Sequence, residues 1–388
     1  MIEGQDSSAS RRVRLGLVGG GQGAFIGAVH RIAARLDDQY EFVAGALSSQ
    51  PERAMASAAE LGLDPDRSYA DYQTMAQAES NRADGIEAVA IVTPNHVHYP
   101  AAKAFLEAGI HVICDKPMTV TSQEGEELVA LAQQKGLILA VTYNYTGYPM
   151  VRQARAMVAN GELGRIRLVQ VEYVQDWLSE DLESSGQKQA AWRTDPAQSG
   201  AGGAIGDIGT HAYNMACFVS GLEAESLCAD LSSFVDGRRL DDNAQVILRY
   251  PGGVRGMLWA SQVAPGNENN LMLRVYGDKG GIKWRQEDPN YLEFAPLGEP
   301  PRRITRGGPG SDENSARVTR IPSGHPEGYL EGFATVYTEV AEAIRAARDG
   351  SAPDPAVLFP TGEDGVKGVR FVEAVVQSSR EDAAWILL

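Results

Sequence analysis

The chain has 388 residues, 43% of them hydrophobic and 22% charged, a globular balance with material for two or three domains. Its 35 Lys and Arg against 51 Asp and Glu leave a net charge of −16, which argues against a broad nucleic-acid surface or an anionic-membrane surface but leaves room for a local phosphate pocket. Cys114, Cys217 and Cys228 lie in apolar surroundings without C-x-x-C spacing, no apolar h-region opens the chain, and no apolar run reaches membrane-spanning length. The expectation is therefore a cytoplasmic protein with reduced core thiols and neither disulfide nor membrane anchor.

Residues 1–10 read as a disordered tail. Val13 to Val18 is an apolar run of strand length, a glycine cluster follows, and a helical apolar pattern then runs from Phe25 through Ile26, Val29 and Ala33 to Leu36. Strand, glycine turn and helix form the opening unit of a dinucleotide-binding fold. Gly19 suits the tight turn, Gly21 lets backbone approach a pyrophosphate, and Ala24 stands where the fingerprint has its third small residue for close helix–strand packing. The helix start, with Gln22, Phe25 and Ile26 around it, offers unpaired N–H groups to that pyrophosphate. G-x-G-x-x-A alone is a weak signal; its place between a strand and a helix carries the reading.

Glu41 to Leu47 reads as the second strand, and where an acidic residue often holds the ribose hydroxyls the chain has Ser48-Ser49-Gln50-Pro51-Glu52-Arg53. Hydroxyls and an arginine suit a 2′-phosphate, so the cofactor reading is NAD or NADP with a lean to NADP. Ser68 to Ala78 gives a connection and helix. Glu87 to Thr93 is a buried strand ending in Thr93-Pro94-Asn95-His96-Val97-His98. Helix Tyr99 to Ala108, strand Ile110 to Cys114, the corner Asp115-Lys116-Pro117, helix Ser122 to Lys135 and strand Leu137 to Thr142 follow. This alternation predicts a doubly wound parallel sheet over 11–142, a Rossmann domain, with Ser48, Asn95 and Lys116 at strand ends facing one crevice.

Past Tyr143 the texture changes. Helix Pro149 to Asn160 precedes alternating strands at Arg165 to Trp177, Leu227 to Val235, Ala244 to Tyr250, Val254 to Ser261, Leu271 to Tyr276 and Gly281 to Trp284. Gly298 to Gly324 reads as a long loop, Pro326 to Arg348 and Gly362 to Ser379 as helices, and Trp385 to Leu388 as a last strand. The expectation for 143–388 is an α+β domain with a large, mainly antiparallel open sheet, binding substrate and supporting a homo-oligomer, a dimer or a tetramer.

Three side chains stand out chemically. Lys116 is held on a stiff corner by Pro117 and can polarise an alcohol or carbonyl oxygen. Asp207 and His211, four residues apart in G-D-I-G-T-H, share one helix face roughly 40° apart. Glycines at 200, 202, 203, 206 and 209 leave room around that face for a ligand. A histidine is the usual acid or base near neutral pH, and a carboxylate can orient it or bind a hydroxyl; with no further His or Cys nearby, no metal site is expected. Arg193, after Trp192, can bind cofactor or substrate oxygens or else pair with Asp195, and His325, Glu327 and Tyr329 open a helix where they can line a sugar pocket, with capping and packing explaining them nearly as well.

The combination of the Gly19 to Ala24 loop, Thr93-Pro94-Asn95-His96-Val97-His98, Asp115-Lys116-Pro117 and Gly206-Asp207-Ile208-Gly209-Thr210-His211 resembles the Gfo/Idh/MocA family, the glucose–fructose oxidoreductase and inositol dehydrogenase type. Asp115 departs from the family's usual glutamate. The resemblance implies catalytic roles for Lys116, Asp207 and His211, and places Asn95, His98 and Asn144 near the nicotinamide ribose. Ser48 and Arg53 look like the arrangement of NADP-preferring members. The implied activity is hydride transfer between nicotinamide and a secondary alcohol of a sugar, sugar derivative or cyclitol. A non-catalytic nucleotide sensor and a redox-neutral glycosidase or lyase remain the alternatives.

Overall fold

A computed structural model describes residues 11–388, so the tail expected at 1–10 lies outside the described residues. Five parallel strands form the first sheet: β1 (Val13–Gly19), β2 (Tyr40–Ala46), β3 (Ala88–Val92), β4 (His111–Cys114) and β5 (Leu139–Val141), in the order β2-β1-β3-β4-β5. All five residues of β3 are buried, as expected of a strand covered on both faces. From β1 the chain steps first to β2 on one side and then to β3 on the other. This reversal opens a crevice at the carboxyl ends of β1 and β3, where Gly19 pairs with Val92.

Gly19 has φ of 79°, so it does make the tight turn. The close helix approach, however, belongs to Gly27 and not to Ala24. A Cβ on Gly27 would lie 2.3 Å from Gly20 O and 2.4 Å from Gly20 Cα. Ala24 is the extended residue that precedes the helix Phe25–Leu36. Pro51–Glu60 is a further helix, which buries only the small side chains Ala54, Ser57 and Ala58.

The second sheet has nine strands: β6 (Ile166–Val174), β7 (Ser226–Ser232), β8 (Asn243–Arg249), β9 (Arg255–Ser261), β10 (Asn270–Gly277), β11 (Gly280–Arg285), β12 (Tyr291–Pro296), β13 (Arg302–Thr305) and β14 (Ile386–Leu387). Their order is β13-β12-β11-β10-β6-β9-β8-β7-β14. Every pairing is antiparallel except β6 with β9, which brings the carboxyl ends of those two strands together. The expected loop at 298–324 contains β13 and the short helix Glu313–Arg317; β13 is an edge strand with no fully buried residue, hence no apolar alternation to read.

Helices Pro149–Ala159, Thr210–Ser220 and Gly362–Arg380 cover one face of this sheet. The other face is open, with Leu168 45%, Ile247 51% and Met257 51% exposed.

Chain order and packing part company after β5. Helix Tyr329–Arg348 returns to the first sheet, where Phe333, Val336, Tyr337, Val340 and Ile344 share an apolar cluster with Val13, Leu15, Leu17, Val29 and Ala33. Tyr40 Oη donates to Tyr337 O at 2.8 Å, and His30 Nδ1 lies 2.8 Å from Tyr337 Oη. An ion pair between Arg152 and Glu339, 2.8 Å long with both side chains 1% exposed, joins the same helix to Pro149–Ala159. We propose 11–142 and 143–388 as the divisions for the two sheets, with helix Tyr329–Arg348 serving the first.

Because the Gly27 contact is backbone against backbone, Gly27→Ala is expected to destabilise the protein by about 1–3 kcal/mol and to weaken nucleotide binding. Thermal melting and fluorescence titration with NADH check this, and an unchanged melting temperature would show that the loop can give way.

Candidate active site

Lys116 stands at the end of β4, and Asp207 lies in the turn before helix Thr210–Ser220. That turn, Ile205–Gly209, is π-helical: Thr210 N–H reaches back five residues to Ile205 O. Asp207 and His211 therefore project from one side of a widened turn followed by an α-helix. The turn is pinned by Asp241, whose carboxylate accepts from Gly203 N at 2.6 Å and Ile205 N at 2.8 Å, while its own carbonyl accepts from Ala204 N at 2.8 Å.

The two units meet at Asp207. Lys116 Nζ donates to Asp207 Oδ1 at 2.8 Å and to Asp207 O at 2.6 Å. Arg193 Nε donates to Oδ2 at 3.2 Å and Gln262 Nε2 to the same oxygen at 3.0 Å. Burial pushes the Asp207 carboxyl up, but the Lys116 ammonium and then Arg193 outweigh it and hold the group well below the usual carboxylate range. Arg193 thus serves Asp207, while Asp195 pairs with Arg239.

His211 is 7% exposed and packed edge-on against Tyr145 and Tyr143, with ring centroids 4.9 and 5.6 Å away. Burial, and secondarily Lys116, push its pKa well below the usual histidine value, against the opposing pull of Asp207. The imidazole is neutral at neutral pH. Its Nδ1 is buried without a partner among the described residues, which leaves Nε2 for exchange with the crevice.

The glycine loop is held from behind. Gly21 N donates to Leu47 O at 3.2 Å, and a Cβ on Gly21 would lie 2.6 Å from both Leu47 O and Ser57 Oγ. Gln22 N donates to Ser57 Oγ at 3.0 Å, Gln22 Nε2 donates to Glu60, and Arg53 Nη2 donates to Gln22 O. Phe25, 69% exposed, opens the helix, with Ile26 half-buried behind it. Ser48, half-buried, follows β2 and accepts from Gln50 N at 3.1 Å. Thr93 Oγ1 and Asn144 Nδ2, beyond the ends of β3 and β5, are buried polar atoms without partners among the described residues. A loop that admits no Cβ at Gly21 and two orphaned polar atoms along the same sheet edge fit a dinucleotide.

Other expected residues turn inward. His98, 1% exposed, has Nδ1 2.8 Å from Pro117 O and Nε2 2.8 Å from Thr93 O, so it ties two strand ends together and leaves no ring nitrogen free for a ribose. Asn95, after Pro94, donates through Nδ2 to Ser199 O at 2.9 Å, fastening the segment before the glycine-rich turn to the first unit. Asp115 Oδ1 accepts from Lys116 N at 2.8 Å and Thr142 Oγ1 at 2.9 Å, a contact its short side chain can make within its own corner. Glu327 takes the packing role: it is 3% exposed and paired with Arg306 at 2.9 Å, where it organises a loop. His325 is exposed and offers only its carbonyl to Arg306. Tyr329 does reach the site's edge, its ring 6.5 Å from Tyr145.

Sequence reasoning missed Ser57, Asp241 and Gln262. Ser57 had a faint signal, as the one hydroxyl on the buried face of an alanine-rich helix. Asp241 and Gln262 had none, since their partners are 36 and 55 residues away.

The chain matches two family models: "Oxidoreductase family, NAD-binding Rossmann fold" over residues 13–143 and "GFO/IDH/MocA C-terminal domain" over 151–283. A solved oxidoreductase from Sinorhizobium meliloti is 59% identical, with 97% of this chain and 99% of that one covered and a TM-score of 0.89. An inositol dehydrogenase homolog from Azotobacter vinelandii, complexed with NADH and myo-inositol, is 36% identical over 98% of both chains with a TM-score of 0.91. Levoglucosan dehydrogenase from Pseudarthrobacter phenanthrenivorans is 26% identical, with 97% of this chain and 98% of that protein covered.

Proposed function

The chain belongs to the Gfo/Idh/MocA oxidoreductase family, and from that premise we propose that it moves a hydride between NAD(P) and a secondary alcohol or ketone of a sugar, sugar derivative or cyclitol. The observation that carries the reading is the meeting of Lys116, Asp207 and a neutral His211 in one crevice. Similarity to proteins solved with myo-inositol and named for levoglucosan supports a polyol substrate.

Gly19 and Gly21, with the start of helix Phe25–Leu36, would hold the pyrophosphate, and Thr93 and Asn144 would serve the nicotinamide ribose. The nicotinamide, when bound, supplies the acceptor or donor of the carbon-bound hydrogen. In the oxidising direction His211 takes the hydroxyl proton at Nε2. Lys116 stabilises the alkoxide that develops, and Asp207 accepts a neighbouring hydroxyl on its remaining lone pair while fixing the ammonium. Arg193 and Tyr329 border the substrate.

Lys116→Ala and His211→Ala are each expected to lower kcat by about 10²- to 10⁴-fold with NADH binding retained. Since His211 must be neutral to act and its pKa is depressed, the acid limb of kcat/KM for oxidation should lie below pH 6.5. Full turnover by both variants on a substrate of the wild type would overturn these roles.

For the nucleotide, NADP is the proposed preference. The residue after β2 carries no carboxylate, and the Arg53 guanidinium lies over the glycine loop with donors to spare for a 2′-phosphate. Arg53→Ala should raise Kd for NADPH by about tenfold or more and leave NADH nearly unchanged in fluorescence titrations; equal effects on both would return the preference to NAD.

We further propose a homo-oligomer, dimer or tetramer, through the open face bearing Leu168, Ile247 and Met257. Light scattering should give a multiple of 41.6 kDa, reduced towards the monomer by Ile247→Lys with Met257→Lys; a monomeric wild type would refute it. Free cysteines at 114, 217 and 228 suit a cytoplasmic setting, and among the described residues no helix is long and apolar enough to cross a membrane.

A further inference from the structure

We propose that Gln262 is a positioning residue for Asp207, setting the plane of its carboxylate from the sheet side. Gln262 follows β9 directly, is 2% exposed, and is fixed by its own N–H to Asp242 O at 2.9 Å. Its Nε2 donates to Asp207 Oδ2 at 3.0 Å and to Gln175 Oε1 at 3.4 Å. A carboxylate only accepts, so the amide must present nitrogen to it, and this orients the groups beyond. Gln175 Nε2 donates to Asn269 Oδ1 at 2.7 Å, Tyr173 Oη donates to the same oxygen at 2.8 Å, and Tyr145 Oη lies 2.6 Å from Tyr173 Oη. Tyr145 in turn packs against His211.

The parallel pairing of β6 with β9 makes this path possible. It sets the ends of those strands beside the start of β10, so three amides and two phenols run from Asp207 round to His211. The other holders of Asp207 are cations. Lys116 comes from the first unit, and Arg193 comes from the short helix Lys188–Arg193 with its side chain 25% exposed. Gln262 alone of the three restrains the carboxylate without adding charge and from a strand end that cannot swing. It acts on the reaction through Asp207, and so rests on the catalytic reading of that residue.

The test is isosteric. Lys116, Arg193, His211, Tyr145, Tyr173 and Tyr329 are the titratable or charged groups facing Asp207, and none is altered by Gln262→Glu. A protonated Glu at 262 can still donate to Asp207, whereas an ionised one repels it, and burial at this 2% exposed position raises the new group's pKa. Relative to wild type, Gln262→Glu should therefore melt about 2–4 °C lower at pH 8.5 than at pH 5.5 beyond any common loss. In an Asp207→Asn background that extra loss should vanish. A pH-independent loss, or one that survives Asp207→Asn, would overturn the proposal.

Gln262→Leu supplies the second arm, on whichever of myo-inositol or levoglucosan the wild type oxidises. It should lower kcat about tenfold to a hundredfold and leave Kd for NADH unchanged; an unaltered kcat would also overturn it. A wild type that turns over neither polyol counts against the proposed substrate class, and the melting cycle then decides the role of Gln262 by itself.

Discussion

An ammonium from the parallel sheet and a carboxylate from the antiparallel unit meet at 2.8 Å, and the placement of the candidate site follows from that meeting. Lys116 and Asp207 are 14% and 17% exposed, dry enough for their attraction to be strong but also for either to be costly alone. Breaking such a pair by removing one member costs on the order of a few kcal/mol because the other charge stays behind uncompensated. The pair persists because the carboxylate's lone pairs are taken by Arg193 and Gln262 as well, and Lys116 also finds the Asp207 carbonyl. The same contact fixes how the corner after β4 faces the turn that carries His211.

Burial among tyrosines is the first cause of the neutral imidazole, and the Lys116 ammonium adds to it against the pull of Asp207. A neutral base beside a fixed cation is the arrangement that alcohol oxidation asks for: one group to receive the proton and another to stabilise the oxygen that loses it. Neither property belongs to the side chains in isolation.

Much of this was legible in the residues. The strand before Gly19, the corner at Asp115-Lys116-Pro117 and the G-D-I-G-T-H turn are local patterns in which chemistry and conformation lie within a few positions of each other. What stayed hidden depends on contacts between distant segments. Ala24 fits the fingerprint spacing, yet Gly27 makes the close approach, because the distance is set by where Gly20 lies against the helix. The π-turn leaves no mark in an i, i+4 spacing that suits an α-helix equally well. His98, Asn95 and Glu327 have the chemistry of site residues but direct it to backbone carbonyls or a buried arginine. Gln262 becomes visible only when β9 is laid parallel to β6.

The helix Tyr329–Arg348 bears on how the chain comes into being. It supplies Phe333, Tyr337 and Val340 to the apolar cluster beneath β1, yet it is synthesised almost two hundred residues after β5 has closed the strand order. On the ribosome that flank of the nucleotide-binding sheet therefore stays only partly covered, by helix Phe25–Leu36, until nearly the whole polypeptide has emerged. The amino-terminal unit can thus complete its core only after most of the second unit has been made, a departure from the usual order for chains of this size.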